Sequence, residues 1–249
     1  MTYVTQTLTR PHGKFAVLSG EAALHASAPL VVLLHGAFEK HKKLLPWSEL
    51  WRASYDVALA DLPGHGQSDP PISVTMDTYI DELRWLIGTH FAGRRVVIVG
   101  DSFGGLLGIA LGNRPPANFV GVVALDPLLA TAKQWSIMEL MPRILDGQPE
   151  GSFRRMFAAN VMGMAQSPPE DRRYYHYIEG VRVPAIVLAG AESLGVRREV
   201  TGPSLLDDED RKYLAARLKL AVIPGVGHQL VLQRPAETFA AAEAFVRAL

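Results

Sequence analysis

The sequence predicts an α/β protein in which helices flank a mainly parallel sheet. Four short apolar runs are rich in β-branched residues and are bounded by proline, glycine or a charged residue, which is typical of strands buried on both faces. These runs are residues 30–34, 96–99, 119–125 and 186–189. Segments with helical periodicity lie between them, and strands that alternate with helices indicate a parallel sheet.

Two further strands and two helices complete the predicted frame. The strands are residues 55–60 and 218–223. The first helix carries Ile80, Leu83 and Ile87 on one face, and Thr75 is placed to cap its amino terminus. The second helix begins near Pro235, because proline favours the first helical position. Its apolar face is formed by Phe239, Ala242, Val246 and Leu249.

Residues 128–180 interrupt the alternation, since no buried strand is predicted among them. They hold five of the seven methionines, together with several aromatic residues. An insertion of this length between two strands is typical of a lid, and methionine adapts well to apolar ligands. We therefore expect residues 1–249 to form a single domain with a helical cap at 128–180. Trp135, Met141 and Phe157 are the cap residues predicted to contact substrate.

Composition and charge exclude several classes of protein. Lysine plus arginine and aspartate plus glutamate each total 25, and a formal net charge of zero argues against nucleic-acid binding. The absence of cysteine excludes disulfides and a thiol nucleophile. No apolar run approaches the roughly 18 residues of a membrane span, and the amino terminus lacks the apolar core of a signal peptide. We expect a cytoplasmic protein that binds no membrane, metal or cofactor.

The strongest chemical signal is the segment 100–105, which reads GDSFGG. It follows the predicted strand at 96–99 and precedes an apolar helical segment. A sharp turn from strand to helix strains the backbone of Ser102 and exposes its hydroxyl, and only small residues fit two positions away on either side. The turn also directs the Phe103 amide toward the serine, where it can stabilise an oxyanion. Ser102 is the predicted nucleophile.

This segment resembles the nucleophile elbow of the α/β-hydrolase superfamily, and three other segments are similar to superfamily landmarks in chain order. Residues 33–37 (LLHGA) resemble the turn after the third strand, and residues 61–68 (DLPGHGQS) resemble the loop after the fourth. Residues 224–228 (PGVGH) resemble the loop that presents the catalytic histidine. The resemblance implies the α/β-hydrolase fold and makes the Ala37 amide the second oxyanion donor.

His228 is the predicted catalytic base. A serine hydroxyl is a weak nucleophile near neutral pH, and imidazole is the side chain whose pKa lets it take and return the proton. His35 and His65 lie in the two other landmark loops and are interpreted as holding those loops through hydrogen bonds. The basic segment 40–43 is interpreted as a solvated loop.

Two residues compete for the role of the acid that orients this histidine. Most superfamily members carry an aspartate after the seventh strand, but here Ser193 occupies that position and Glu192 stands one residue early. Haloalkane dehalogenases and some lactonases and thioesterases place the acid after the sixth strand instead. Asp126 follows the predicted strand at 119–125 and preserves the chain order Ser, Asp, His. We predict Asp126, with Glu192 as the alternative.

Together these residues predict a serine hydrolase that cleaves a carboxylic ester of a small, moderately apolar substrate. Lactone, thioester and carbon–carbon bond hydrolysis share the same acyl chemistry and remain alternatives. Ser102 argues against a haloalkane dehalogenase or an epoxide hydrolase, which use an aspartate nucleophile. A protein of another class, a ligand receptor without catalytic turnover, is a further alternative. We consider it because the usual aspartate after the seventh strand is missing.

Overall fold

The computed structural model describes residues 3–10, 12–20, 23–164, 170–193 and 202–249, which form one eight-stranded sheet. The strands are β1 (Tyr3–Arg10), β2 (Gly13–Gly20), β3 (Leu30–Leu34), β4 (Val57–Ala60), β5 (Val96–Asp101), β6 (Phe119–Leu125), β7 (Ala185–Gly190) and β8 (Lys219–Ile223). Their spatial order is β1-β2-β4-β3-β5-β6-β7-β8. Strands β3 to β8 pair in parallel, which confirms the predicted fold class.

The antiparallel strands β1 and β2 at one edge of the sheet were not predicted from the sequence. Most residues of β1 are exposed or half-buried, because the strand lies at the outer edge. A search for continuous apolar runs detects strands buried on both faces, so it misses an edge strand of this kind.

Helices cover both faces of the sheet. They are α1 (Leu45–Trp51), α2 (Met76–Trp85), α3 (Phe103–Leu111), α4 (Trp135–Leu145), α5 (Phe153–Asn160), α6 (His176–Glu179), α7 (Asp208–Ala215), α8 (Leu230–Gln233) and α9 (Pro235–Arg247). Alternate residues of β3 enter different cores: Val32 packs in the cluster that contains α2 and α3, and Val31 packs in the cluster that contains α1 and α9. The predicted caps are confirmed, since Thr75 accepts a hydrogen bond from the Thr78 amide and Pro235 begins α9.

The segment between β6 and β7 contains α4, α5 and α6. Among its described residues no strand joins the sheet, although an isolated bridge pairs Ala130 with Arg173. Met141, Met162 and Met164 are buried in the same cluster as α3. The segment therefore shares a hydrophobic core with the sheet instead of forming a separate one.

Within the described ranges, no helix is both long enough and apolar enough to cross a membrane.

Candidate active site

Ser102 lies in a tight turn between β5 and α3, with a backbone φ of 52°. Its amide donates a hydrogen bond to the Leu125 carbonyl at the end of β6, at 2.8 Å. A Cβ atom at Gly100 would lie 2.3 Å from the Gly104 carbonyl carbon, and one at Gly104 would lie 2.6 Å from the Leu34 carbonyl oxygen. Both positions therefore require glycine, which is the local reason for the repeated glycines of the motif.

The serine is less exposed than the sequence predicted, since 6% of its surface is accessible. The loop after β3 packs directly against it: a Cβ at Gly36 would lie 3.3 Å from the Ser102 Cβ. This contact places the neighbouring Ala37 beside the nucleophile.

Backbone strain is concentrated where the parallel strands end, at the carboxyl side of the sheet. Among the described non-glycine residues, positive φ angles occur at Phe38 (60°), Ser102 (52°) and Asp126 (45°). These three residues follow the carboxyl ends of β3, β5 and β6. Such conformations persist only where the surrounding structure holds them, and they cluster at functional sites.

The Asp126 carboxylate is fully buried and makes three hydrogen bonds. Its Oδ2 accepts from the His228 Nδ1 at 2.8 Å and from the Leu205 amide at 2.7 Å. Its Oδ1 accepts from the Ser204 hydroxyl at 2.5 Å. Sequence reasoning missed Ser204 and Leu205, because nothing in the local pattern shows that a residue 78 positions away in the chain will meet Asp126. These donors fix the carboxylate toward the imidazole.

The alternative acid, Glu192, is not brought to His228. Its amide donates to the Val226 carbonyl at 3.1 Å, and its carbonyl accepts from the Ser204 amide at 2.8 Å. Its half-buried carboxylate makes no hydrogen bond or ion pair with a described residue. The neighbouring Ser193 instead directs its hydroxyl to Asp208 Oδ1 at 3.4 Å.

The loop that carries His228 is packed backbone to backbone. A Cβ at Gly227 would lie 2.1 Å from the Gly202 carbonyl oxygen, and the His228 amide donates to that same oxygen at 2.8 Å. Because Nδ1 lies against Asp126, it carries the proton, and no described residue hydrogen-bonds Nε2. Nε2 is thus the nitrogen placed to act as a base.

Opposing effects act on the pKa of His228. Burial lowers it, but the hydrogen bond and charge of Asp126, with the charge of Asp101, outweigh burial and the opposing effect of Lys43. The net result is a pKa raised above the ordinary value of 6.5. The arrangement therefore favours the imidazolium that forms when the ring takes a proton.

Two backbone amides beside Ser102 have no hydrogen-bond acceptor among the described residues. The Phe103 amide is the first of α3, where no intrahelical acceptor exists. The Ala37 amide lies between two amides that do have acceptors, because Gly36 donates to Glu39 Oε2 at 3.1 Å and Phe38 donates to His65 Nε2 at 3.2 Å. The two amides without an acceptor, those of Ala37 and Phe103, are the ones predicted as oxyanion donors.

Lys43 joins the loop after β3 to the nucleophile turn. Its Nζ lies 2.7 Å from Glu39 Oε1 and 2.7 Å from Asp101 Oδ2. Burial alone would lower the pKa of Lys43, but the two carboxylates raise it, so the side chain is charged. The interpretation of residues 40–43 as a solvated loop was wrong for Lys43 and for His41, which is buried and donates its amide to Asp61 Oδ1 at 2.8 Å. The spacing of four residues between Glu39 and Lys43 was the one feature of the sequence that could have indicated their ion pair.

His35 and His65 hold the two neighbouring loops, as interpreted from the sequence. His35 Nε2 accepts from the Leu62 amide at 3.0 Å, and its Nδ1 donates to the Gly36 carbonyl at 2.7 Å. His65 Nδ1 donates to the Pro63 carbonyl at 3.1 Å. Burial lowers the pKa of His35 to about 4 and that of His65 to about 3. Both rings are therefore neutral near pH 7.

These two histidines predict a loss of stability at mildly acidic pH. The unfolded chain takes up protons near the ordinary histidine pKa of 6.5, whereas the folded rings remain neutral to about pH 4 and about pH 3. The free energy of unfolding should fall below pH 6.5 by up to about 1.4 kcal/mol per pH unit for each ring. Urea unfolding at pH 7, 6 and 5 measures this slope. His65→Gln, which removes one titrating ring, should lower the slope by about half, and an unchanged slope would contradict the assignment.

The three cap residues predicted to contact substrate can be compared by how far their side chains are buried. Phe157 is fully buried and Met141 is buried, and both belong to the main hydrophobic cluster. The side chain of Trp135 lies outside the described part of the structure. Among the described side chains, no group of three or more histidine, aspartate or glutamate residues is arranged to hold a metal ion.

The eight-stranded fold and the strained serine between β5 and α3 are typical of the α/β-hydrolase class. Residues 31–242 match the model of the alpha/beta hydrolase family, and the chain belongs to that family.

Similar proteins include several hydrolases of ester bonds. Phospholipase YtpA of Bacillus subtilis (strain 168) is 30% identical over 105 residues, and this match spans only 40% of each protein. Pimeloyl-[acyl-carrier protein] methyl ester esterase of Stenotrophomonas maltophilia (strain K279a) is 26% identical over 89% of this chain and 94% of the esterase. The solved structure of carboxylesterase CesB (YbfK) from Bacillus subtilis superposes with a TM-score of 0.71 at 15% identity, covering 100% of this chain and 93% of that one. This last likeness concerns the fold alone.

Proposed function

We propose that this protein is a serine hydrolase that cleaves a carboxylic ester of a small, moderately apolar substrate. Ser102 is the nucleophile, His228 the general base and Asp126 the acid that orients it. The observation that carries the proposal is the hydrogen bond of 2.8 Å between the buried Asp126 carboxylate and His228 Nδ1. It lies at the carboxyl ends of the parallel strands, where strained Ser102 also lies.

In the first half of the reaction, His228 Nε2 takes the hydroxyl proton while Ser102 Oγ bonds to the ester carbonyl carbon. The carbonyl oxygen becomes an oxyanion that accepts hydrogen bonds from the Ala37 and Phe103 amides. Each such donor is worth on the order of 3 kcal/mol in comparable sites. His228 then gives the proton to the departing alcohol, and the acyl group remains on Ser102.

In the second half, His228 removes a proton from water as the water oxygen attacks the acyl carbonyl. A second oxyanion forms at the same two amides and collapses, which releases the carboxylic acid and returns the proton to Ser102 Oγ. Asp126 stabilises the imidazolium in both halves without itself becoming protonated. No cofactor or metal takes part in this scheme.

We further propose that residues 128–180 form a cap over the substrate, which would account for the apolar character assigned to the ester. The phospholipase and esterase relatives support ester cleavage more than the lactone, thioester or carbon–carbon alternatives. The hydrogen bond between buried Asp126 and His228 supports hydrolysis over a receptor without turnover, because that alternative rests on a missing acid. A series of p-nitrophenyl esters of increasing chain length, set beside a lactone and a thioester, separates these subclasses and sizes the pocket.

Covalent labelling tests the assignment of the nucleophile. A fluorophosphonate probe should label the native protein once, and peptide mapping by mass spectrometry should place the label on Ser102. The reason is that the probe phosphonylates a serine, with loss of fluoride, only where a base takes the hydroxyl proton and an oxyanion hole receives the phosphonyl oxygen. Prior heat denaturation should abolish labelling. A label on any other residue of the native protein would overturn the proposal.

A further inference from the structure

The side chain of Phe157 lies at the centre of a buried aromatic cluster beside the candidate site. Its ring centroid is 5.1 Å from that of Phe38, 5.1 Å from that of Phe103 and 5.3 Å from that of His65. The interplanar angles lie between 76° and 90°, which is the edge-to-face arrangement that aromatic rings favour. Phe157 belongs to α5, and none of its surface is exposed.

Two of these partners belong to the two segments that carry the proposed oxyanion donors. Phe38 directly follows Ala37, and its own amide is held by His65 Nε2 at 3.2 Å. Phe103 supplies the second amide itself. The ring of Phe157 therefore bridges the loop after β3 and the turn before α3, which also meet directly at Gly36 and Gly104.

We propose that Phe157 is a positioning residue that holds the Ala37 and Phe103 amides at the separation required by the tetrahedral oxyanion. The inserted segment then contributes to the chemical step through packing. Because none of the surface of Phe157 is exposed, this role replaces the substrate contact expected for it from the sequence. This inference rests on the proposed function, since it assigns a purpose to the same two amides.

The strained backbone at Phe38 explains why the ring of Phe157 can affect the positions of the two amides. The φ angle of 60° at Phe38 is strained, and such a conformation needs support from its surroundings. The Glu39–Lys43–Asp101 ion cluster already connects the same loop and turn through polar contacts. Phe157 adds a second, apolar connection, so its loss should displace the amides without unfolding the loop. A displacement of about 1 Å is enough to cost roughly 100-fold in rate.

The test compares Phe157→Leu with Phe153→Leu, a matched control on the same helix. The ring of Phe153 contacts His65 and Phe157, and no ring contact joins it to Phe38 or Phe103 within the described chain. We expect Phe157→Leu to lower kcat for a p-nitrophenyl ester by about 10- to 100-fold with KM changed less than about two-fold. Phe153→Leu should keep kcat within about two-fold of wild type.

A transition-state analogue supplies the readout that a purely structural role would not move. Ser102 Oγ adds to the carbonyl carbon of a trifluoromethyl ketone, and the serine proton passes to His228. The ketone oxygen becomes an oxyanion that accepts from the Ala37 and Phe103 amides. The affinity for this inhibitor should fall in Phe157→Leu by about the same factor as kcat/KM. Phe157→Met, whose side chain has about the volume of leucine but is unbranched, adaptable and able to contact aromatic rings through sulfur, repeats the comparison if the leucine variant is unstable.

The outcomes separate this inference from the function on which it rests. Full kcat in folded Phe157→Leu or Phe157→Met, with Ser102→Ala inactive, would overturn the positioning role alone. A raised KM at unchanged kcat would also overturn it, because that result indicates a substrate contact. Turnover retained by Ser102→Ala would overturn the proposed function and the positioning role together.

Discussion

Replacing Ser102 by alanine is expected to lower kcat for a p-nitrophenyl ester by about 10⁶-fold, to a rate limited by residual binding and oxyanion stabilisation. Without the hydroxyl oxygen no acyl-enzyme forms, and His228 has no nucleophile to deprotonate. KM should change little, because Ser102 bonds to the substrate only during the chemical step. Steady-state kinetics with an active-site titration of the wild type measures the loss.

Ser193→Ala is the matched control for this substitution. Ser193 is also buried, lies in the loop after β7, and occupies the position where the superfamily usually has its acid. Its hydroxyl has only long contacts, at 3.4 Å and 3.5 Å, so the variant should fold normally and keep its kcat. If both alanine variants retained turnover, the nucleophile would have to lie elsewhere.

Asp126→Asn is expected to lower kcat by about 10⁴-fold. The substitution removes the buried negative charge that stabilises the imidazolium of His228 and disturbs a carboxylate that now accepts three hydrogen bonds. Glu192→Gln is the matched control, because it also neutralises a carboxylate near this loop and should leave kcat almost unchanged. The reverse pattern would assign the acid to Glu192.

The pH profile distinguishes loss of the acid from general damage to the fold. In the wild type, kcat/KM should rise with pH as His228 loses its proton, with a midpoint above 6.5 because Asp126 and Asp101 outweigh burial. In Asp126→Asn, burial and Lys43 are opposed by Asp101 alone, so the pKa of His228 and the midpoint of the residual activity should move to lower pH. A midpoint that stays in place would contradict a direct contact between the two side chains in solution.

The parts of the fold that the sequence predicted are those with local signals. Strands buried on both faces are recognisable as apolar runs, and Thr75 and Pro235 mark the helix starts, because a cap acts within one turn. Strand β1 lacked such a signal because most of its residues are exposed or half-buried, whereas β2 carries a short apolar run at residues 15–18 of which Phe15, Ala16 and Val17 are buried. The cap at 128–180 stays a prediction, and three of its five methionines, Met141, Met162 and Met164, are buried in the core of the sheet.

The sequence by itself determined the fold class, the turn that carries Ser102 and the loop that carries His228. The turn and the loop each require a glycine within two residues of the functional side chain, so the constraint is visible in the local sequence. Only the tertiary structure decided which carboxylate meets the histidine, because Asp126 is held by Ser204, Leu205 and His228, all 78 or more positions further along the chain. It likewise decided that half-buried Lys43 lies between two carboxylates and that the ring of Phe157 contacts those of Phe38 and Phe103. These contacts depend on the packing of distant segments, which no local pattern of residues records.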